Sequence, residues 1–466
     1  MNNPGVITYR SPRIFKGIPL IFFLYGISIF VFCLLGLNIH YIFFLPALLM
    51  IFPFLYISKT VTLYIYAVSF SFTIPLFSYR MDLRLDDILF FVMFTVWLMD
   101  KALNSKAETP EKIFKKPLLL WLGINAVSVI LILPQFGWFF FIRSAVFMVR
   151  FAEYILIYFI VTDLIKTHSQ KIILLRIILY SSFFVCIYGL YQYYFMGLVD
   201  ITSTLSPNHA HIGVYISLSF FVLLGFFRIT DSFIDKFLIF LTLPMMVYIV
   251  FLSSSRMGVI SLLFGIFIFL LFSKKFLPAA LAVALAVFMI FFGLDYLDSL
   301  MRVDESYAGI QNLERDLSTM GRLYIWYGTY EMVTNNPTVL ITGVGLAGFK
   351  SALLPYTQLI DGASGAHNNF IHILVETGIA GLLIFLFLIY RILKQSLFLS
   401  RISNNSDRFL YFGYFCGLAA IVFSCFTQET FSVQESLHNI LGYIFLVTAV
   451  VFAKSNNVIK PLKNDR

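Results

Sequence analysis

Residues 253–275 read SSSRMGVISLLFGIFIFLLFSKK. Three hydroxyls and Arg256 stand at one end, Lys274 and Lys275 at the other, and 257–273 between them carries no charge. A helix rises ~1.5 Å per residue, so a run of this length approaches the ~30 Å hydrocarbon core of a bilayer. Positive residues are retained in the cytoplasm, so the paired lysines mark the inner end of this span and Arg256 the outer end.

The same pattern recurs along the chain. Over 466 residues, 60% are hydrophobic and only 12% charged, the composition of a polytopic α-helical membrane protein. Apolar runs place spans at 17–36, 41–57, 61–78, 86–99, 117–134, 145–165, 172–197, 212–227, 237–252, 257–273, 276–293, 369–390, 409–426 and 436–453. That is an all-α fold of about 14 transmembrane helices, with 86–99 the least apolar candidate. With Arg10, Arg13 and Lys16 inside, strict alternation leaves outside only Arg80, Arg84, Arg143, Arg150, Arg256, Arg302, Arg315, Arg322 and Lys350. Those are nine of 33 basic residues, so 24 fall inside or near the inner face and both termini are predicted to be cytoplasmic.

This bias accounts for the net charge of +9, which points to anionic headgroups and not to nucleic acid. Cys33, Cys186, Cys416 and Cys425 lie in apolar segments without a CxxC spacing, where cysteine behaves as a small hydrophobe. The first apolar stretch lacks an A-x-A site and is followed closely by another, so it reads as an uncleaved helix.

One connection is long. Residues 294–368 form a mainly polar stretch on the outer side, predicted to be helical where Leu323, Trp326, Tyr327, Tyr330 and Val333 recur, capped by Ser318 or Thr319 and stopped by Asn335-Asn336-Pro337. Arg322 then falls in the first turn, where free N–H groups and the helix dipole favour an anion and a guanidinium adds a forked donor matched to phosphate. A solvated surface arginine fits that position as well. Gly343-Val344-Gly345-Leu346-Ala347-Gly348 follows, a turn in which backbone can bend sharply, but without the βαβ context that would make GxGxxG a nucleotide site.

The stretch ends in His367-Asn368-Asn369-Phe370-Ile371-His372. A neutral imidazole at His367 could accept a proton from an acceptor hydroxyl, or simply make hydrogen bonds at the interface. Glu376, four residues past His372, is a carboxylate inside an apolar span and needs a partner or a wet cavity. Ser255 and Arg256, with Ser253 and Ser254, offer several donors to a pyrophosphate at the lipid boundary, although an interfacial arginine also snorkels. Arg143 and Arg150 share a helical face, and Arg150 lies more than a turn in, with Glu153 nearby, so it is expected to face the bundle interior.

Taken in order, Ser253-Ser254-Ser255-Arg256 before an apolar helix, Gly321-Arg322 with Trp326 one turn on, Asn336-Pro337, Gly343-Val344-Gly345, and His367-Asn368 followed by Glu376-Thr377-Gly378-Ile379-Ala380-Gly381 resemble the O-antigen ligase and O-antigen polymerase superfamily. The likeness covers roughly 205–395, and Ser206-Pro207-Asn208-His209-Ala210 resembles a short outer loop of the same family. His209 and His211 without a third ligand make a poor metal site.

The resemblance implies a membrane-integral glycosyltransferase of glycosyltransferase-C-like architecture. It would have N-terminal helices in 1–200, a catalytic region in 201–395 and C-terminal helices with a cytoplasmic tail in 396–466. It implies a donor glycan on undecaprenyl pyrophosphate, an acceptor sugar on a lipid A core or a lipid-linked repeat, and no metal or other cofactor. Carried over by position, Arg256 and Arg322 would hold the pyrophosphate, assisted by Ser255 and Arg150. His367 would serve the acceptor hydroxyl, with Asn208, His209, Asn368, His372 and Glu376 in support. The expected setting is the periplasmic face of a bacterial inner membrane, with ligase favoured over repeat-unit polymerase. A lipid-linked glycan transporter is the alternative from another class, but the internal repeats and interrupted midplane helices typical of transporters are not evident in the sequence.

Overall fold

A computed structural model describes residues 59–71, 75–79, 81–103, 113–198, 201–203, 205, 210–253, 255–274, 278, 321–357, 365–403, 406–432 and 440–453. The chain divides into residues 1–62 and 63–466, and only 59–62 of the first unit are described. The expected spans 17–36 and 41–57, nearly all of 276–293, and the stretch 294–320 lie outside the described residues.

Helices α1 (Lys59–Ser69), α2 (Leu85–Leu103), α3 (Lys115–Phe136), α4 (Trp138–Leu164), α5 (His168–Tyr194), α6 (Ala210–Phe227), α7 (Phe233–Leu252) and α8 (Arg256–Phe272) come first. Residues 321–335 form α9, followed by the short α10 (Val339–Thr342) and α11 (Phe349–Leu353), then α12 (Asn369–Ile402), α13 (Asp407–Ser424) and α14 (Ile440–Phe452). Helices α3, α4, α5, α7 and α12 are long and apolar enough to cross a membrane, and α6, α8 and α14 have shorter apolar runs. The protein is a multi-pass membrane protein.

The expected helix over 61–78 is interrupted. It ends at Ser69, whose hydroxyl donates back to Tyr66 O at 2.7 Å, and the chain then forms a small antiparallel hairpin, β1 (Pro75–Tyr79) with β2 (Met81–Arg84). Pro75 has no N–H to continue a helical ladder, so an apolar run that looked continuous is divided. The hairpin leads directly into α2, with Asp86 and Asp87 at that helix's positive N-terminus and Lys101 in its last turn.

Helix α13 packs along α6 through Gly413 and Gly417, one turn apart. A Cβ on Gly413 would lie 2.1 Å from Phe221 O, and one on Gly417 would lie 3.1 Å from Leu218 Cα. Where lipid tails are as apolar as side chains, such close backbone approach supplies the packing that drives association. Trp121 of α3 meets Phe151 of α4 edge-on at 4.8 Å and Phe385 of α12 at 5.5 Å, joining three spans.

Helix ends that the charge pattern assigns to the cytoplasmic face are pinned by ion pairs. Lys171 Nζ lies 3.1 Å from Asp407 and donates to Val451 O at 3.2 Å, tying α5, α13 and α14. Arg176 meets Asp235 at 2.8 Å, and Lys101 meets Asp163 at 2.8 Å, a carboxylate that also receives the Trp97 indole N–H at 3.0 Å. The ends assigned to the outer face carry a different arrangement.

Candidate functional site

Helix α12 is broken near its start. Gly378 sits at φ 70°, ψ −176°, a conformation without steric penalty only for glycine, so the helical ladder cannot run through it. The freed carbonyls of Val375 and Glu376 are taken up by the glycine-rich turn, since Val344 N–H donates to Val375 O at 2.8 Å and Gly345 N–H to Glu376 O at 3.0 Å. Gly343 makes this possible, because a Cβ there would lie 2.2 Å from Glu376 O. Within a membrane an unsatisfied carbonyl costs several kcal/mol, which explains why the turn and the break occur together. The turn is anchored on its other side by Gln135, which donates to Gly343 O at 3.4 Å, and by the Ser144 hydroxyl on Leu346 O.

The same segment of α12 carries His372, and His367 precedes it. Asn368 caps the helix, accepting from the N–H groups of Phe370 and Ile371 at 3.0 and 3.1 Å. Just before the cap, His367 adopts φ 48°, a left-handed conformation that costs about 1–3 kcal/mol for a non-glycine residue and persists only where its surroundings hold it. The His367 N–H donates to Glu429 Oε1 at 2.6 Å. That oxygen also lies 3.3 Å from His372 Nδ1, while His372 Nε2 lies 3.2 Å from Glu376 Oε1. The buried His372 ring is therefore flanked by two buried carboxylates and stacks on Phe349 of α11 at 5.1 Å.

Three further bonds dock the start of α12 against the turn after α13. Asn369 N–H donates to Cys425 O at 2.8 Å, Phe431 N–H donates to Asn369 Oδ1 at 2.8 Å, and Asn368 Nδ2 donates to Phe426 O at 3.1 Å. Helix α9 approaches from the other side, with Trp326 Nε1 donating to Ala366 O at 2.8 Å. Arg322, one turn before Trp326, bears electrostatically on His367. Burial pushes the His367 imidazole below its usual pKa of 6.5; Glu429 opposes that shift, and Arg322 and His372 add to it. His367 is consequently a neutral imidazole near neutral pH, able to accept a proton.

The other expected residues fall as follows. Ser255 caps α8, its Oγ accepting from Gly258 N–H at 3.2 Å, and Arg256 is the first residue of that helix. The Ser253 hydroxyl is turned back onto Val250 O at 2.9 Å and does not join Ser255 as part of a donor array. Arg150 is engaged elsewhere, with Nη2 2.8 Å from Asp87. Arg84 contacts Asp86 at 3.1 Å and Asp87 at 3.3 Å, and donates to the Tyr154 hydroxyl at 2.6 Å. The oxygens of Asp86, Asp87 and Glu153 lie within 4.8 Å of one another, but two guanidinium groups already supply positive charge there, so the cluster is an ion network more than a cation cage. The predicted helix cap, Ser318 or Thr319, lies outside the described residues, as do Asn208 and His209.

Glu429 was not foreseen from the sequence. The available signal was Thr427-Gln428-Glu429-Thr430, a polar tetrapeptide that follows directly on an apolar run and sets a carboxylate at its end. No curated protein matches the chain. Residues 238–386, which contain Arg256, Arg322, His367, the glycine-rich turn and the break in α12, match the family model described as O-antigen ligase.

Proposed function

We propose that this protein transfers a glycan from undecaprenyl pyrophosphate to a sugar hydroxyl on the outer face of the bacterial cytoplasmic membrane, acting as an O-antigen ligase with a lipid A core sugar as acceptor. The observation that carries this reading is the convergence of Arg322 and a neutral, half-buried His367 within the family-matched region, joined by the Trp326 bond to Ala366.

In the reaction, the acceptor oxygen attacks the anomeric carbon of the donor sugar as its bond to the pyrophosphate oxygen breaks. The acceptor proton passes to the neutral His367 imidazole, and the electron pair of the broken bond leaves with the lipid pyrophosphate. One displacement of this kind inverts the anomeric centre. Negative charge grows on the leaving group, and the positive charges of Arg322 and of Arg256, the first residue of α8, oppose it. The Glu429 carboxylate beside His367 favours the imidazolium as it forms. Arg150 would have to leave Asp87 to reach the pyrophosphate. The residues named supply charge and proton transfer without a metal.

The test is deletion of the gene in its host followed by electrophoresis of the envelope glycans, with complementation by Arg256→Ala and Arg322→Ala. Loss of laddered polymer from lipid A, with long carrier-linked chains accumulating and neither variant complementing, is the expected result. A core bearing one repeat would reassign the protein as a polymerase. Unchanged envelope glycans would overturn the transferase reading.

A further inference from the structure

We propose that Glu429 is the positioning residue of this site: its carboxylate holds the His367 backbone and the His372 ring in register, so that the His367 imidazole meets the acceptor hydroxyl. The inference rests on the glycan-transfer reading above. One oxygen, Glu429 Oε1, receives the His367 N–H at 2.6 Å and faces His372 Nδ1 at 3.3 Å. A bond of that length to a carboxylate is charge-assisted and stronger than the neutral bonds around it. It acts on the one residue of the α12 entrance whose backbone is left-handed, His367 at φ 48°.

Docking alone does not account for a carboxylate here. The bonds from Asn369 to Cys425, from Phe431 to Asn369 and from Asn368 to Phe426 already fasten the two segments with neutral groups. Burying a charge at the same junction is costly unless the charge serves something that neutral groups cannot. Gly365 adds a second observation: a Cβ there would lie 2.2 Å from Glu429 Oε2 and 2.3 Å from Oε1, so the chain before His367 is shaped to admit this carboxylate. Among the described residues, the charged groups bearing on His367 are Arg322 from α9, His372 from α12 and Glu429 from the turn after α13, with Glu376 across the His372 ring. Glu429 is the acidic group among those acting on His367, and it lies beyond the family-matched stretch.

The experiment measures kcat and KM in proteoliposomes, using the host's own undecaprenyl-pyrophosphate-linked oligosaccharide as donor and equal amounts of folded, detergent-extracted protein. Glu429→Ala should lower kcat about 100-fold, the scale on which a small misplacement of a catalytic group acts, with donor KM within about threefold of the parent. Glu429→Gln keeps an oxygen to accept the His367 N–H and should recover to within about tenfold of the parent. The acid limb of its pH profile should lie at lower pH, because the charge that favours the imidazolium is gone. Gly365→Ala, which touches none of the reacting groups, should reproduce the Glu429→Ala kinetics by displacing the carboxylate, and the double variant should be no worse than either single one. Parental kcat in both Glu429→Ala and Gly365→Ala would overturn the proposal. So would losses confined to KM, or a Glu429→Gln variant as poor as the alanine with an unmoved acid limb. His367→Ala in the same assay separates the two levels: if it is inactive while Glu429→Ala is normal, only the positioning role fails; if it is fully active, the base role of His367 fails and the positioning role with it, while transfer stands; and no transfer by the parent protein is the result that removes the transferase reading itself.

Discussion

The ion pairs at the end of the bundle assigned to the cytoplasm and the cluster around His372 handle charge in opposite ways. At the end assigned to the cytoplasm, Lys171, Arg176 and Lys101 each meet one carboxylate, on regular helices. In the cluster a single imidazole, His372, lies between Glu376 and Glu429, the helix beside it is broken at Gly378, and His367 is held in a left-handed conformation. Paired charges on regular backbone are fasteners, whereas unequal charges on strained backbone cluster where chemistry occurs. The comparison predicts that substitutions in the ion pairs change stability and leave transfer intact in the protein that survives, while those in the cluster change transfer first.

The largest effect should come from His367→Ala, with glycan transfer in membranes reduced about 10²- to 10⁴-fold, the usual contribution of a general base, and little loss of expression. In the parent protein, the depressed pKa of His367 has a defined consequence for pH. Protonation is penalised in the folded site, so kcat/KM should stay level as pH falls to 6.5 and decline only below it. A decline beginning well above 6.5 would contradict the assignment of His367 as a base that is neutral in the resting site.

Next in size is Gly343→Ala, which forces a Cβ toward Glu376 O and an unfavourable positive φ. It should destabilise by about 1–3 kcal/mol and lower transfer as well, because the turn and the broken helix share hydrogen bonds. A variant that loses stability yet transfers normally would separate the turn from the site. At the opposite end, Lys171→Met leaves Asp407 without its cation. About 2 kcal/mol of destabilisation in thermal unfolding is expected, below the usual loss for a fully buried pair because Asp407 is 18% exposed. The double variant with Asp407→Leu should recover most of it. The smallest effect is Arg176→Ala, whose side chain is 38% exposed, with a loss below about 1 kcal/mol and no change in KM.

Much of this was legible in advance, for physical reasons that can be named. Helices α3 to α8 and α12 to α14 follow from apolar length, since a bilayer accepts little else, although the helix expected to stop near residue 390 continues to Ile402. Arg322, Trp326 and His367 were readable because they stand in a polar stretch where an apolar background makes them conspicuous. Gly378 was legible as a motif residue but not as a break, because the apolar pattern continues through it and the partners of its freed carbonyls lie about thirty residues earlier. The engagement of Arg150 by Asp87 required knowing that the hairpin delivers the start of α2 beside α4. Glu429 was missed because it is 62 residues from His367 and has no periodic neighbours, so only the folded chain brings the two together.

The exchange of hydrogen bonds between the glycine-rich turn and α12 also bears on how this region opens. The amides of Val344 and Gly345 lie outside any regular helix, yet they end on carbonyls of a membrane-spanning one. They should therefore resist deuterium exchange as long as the amides of α12 itself and be released together with them. A turn that looks like an aqueous connection would then belong to the same cooperative unit as the span, and the floor of the site would stay closed unless α12 itself opens.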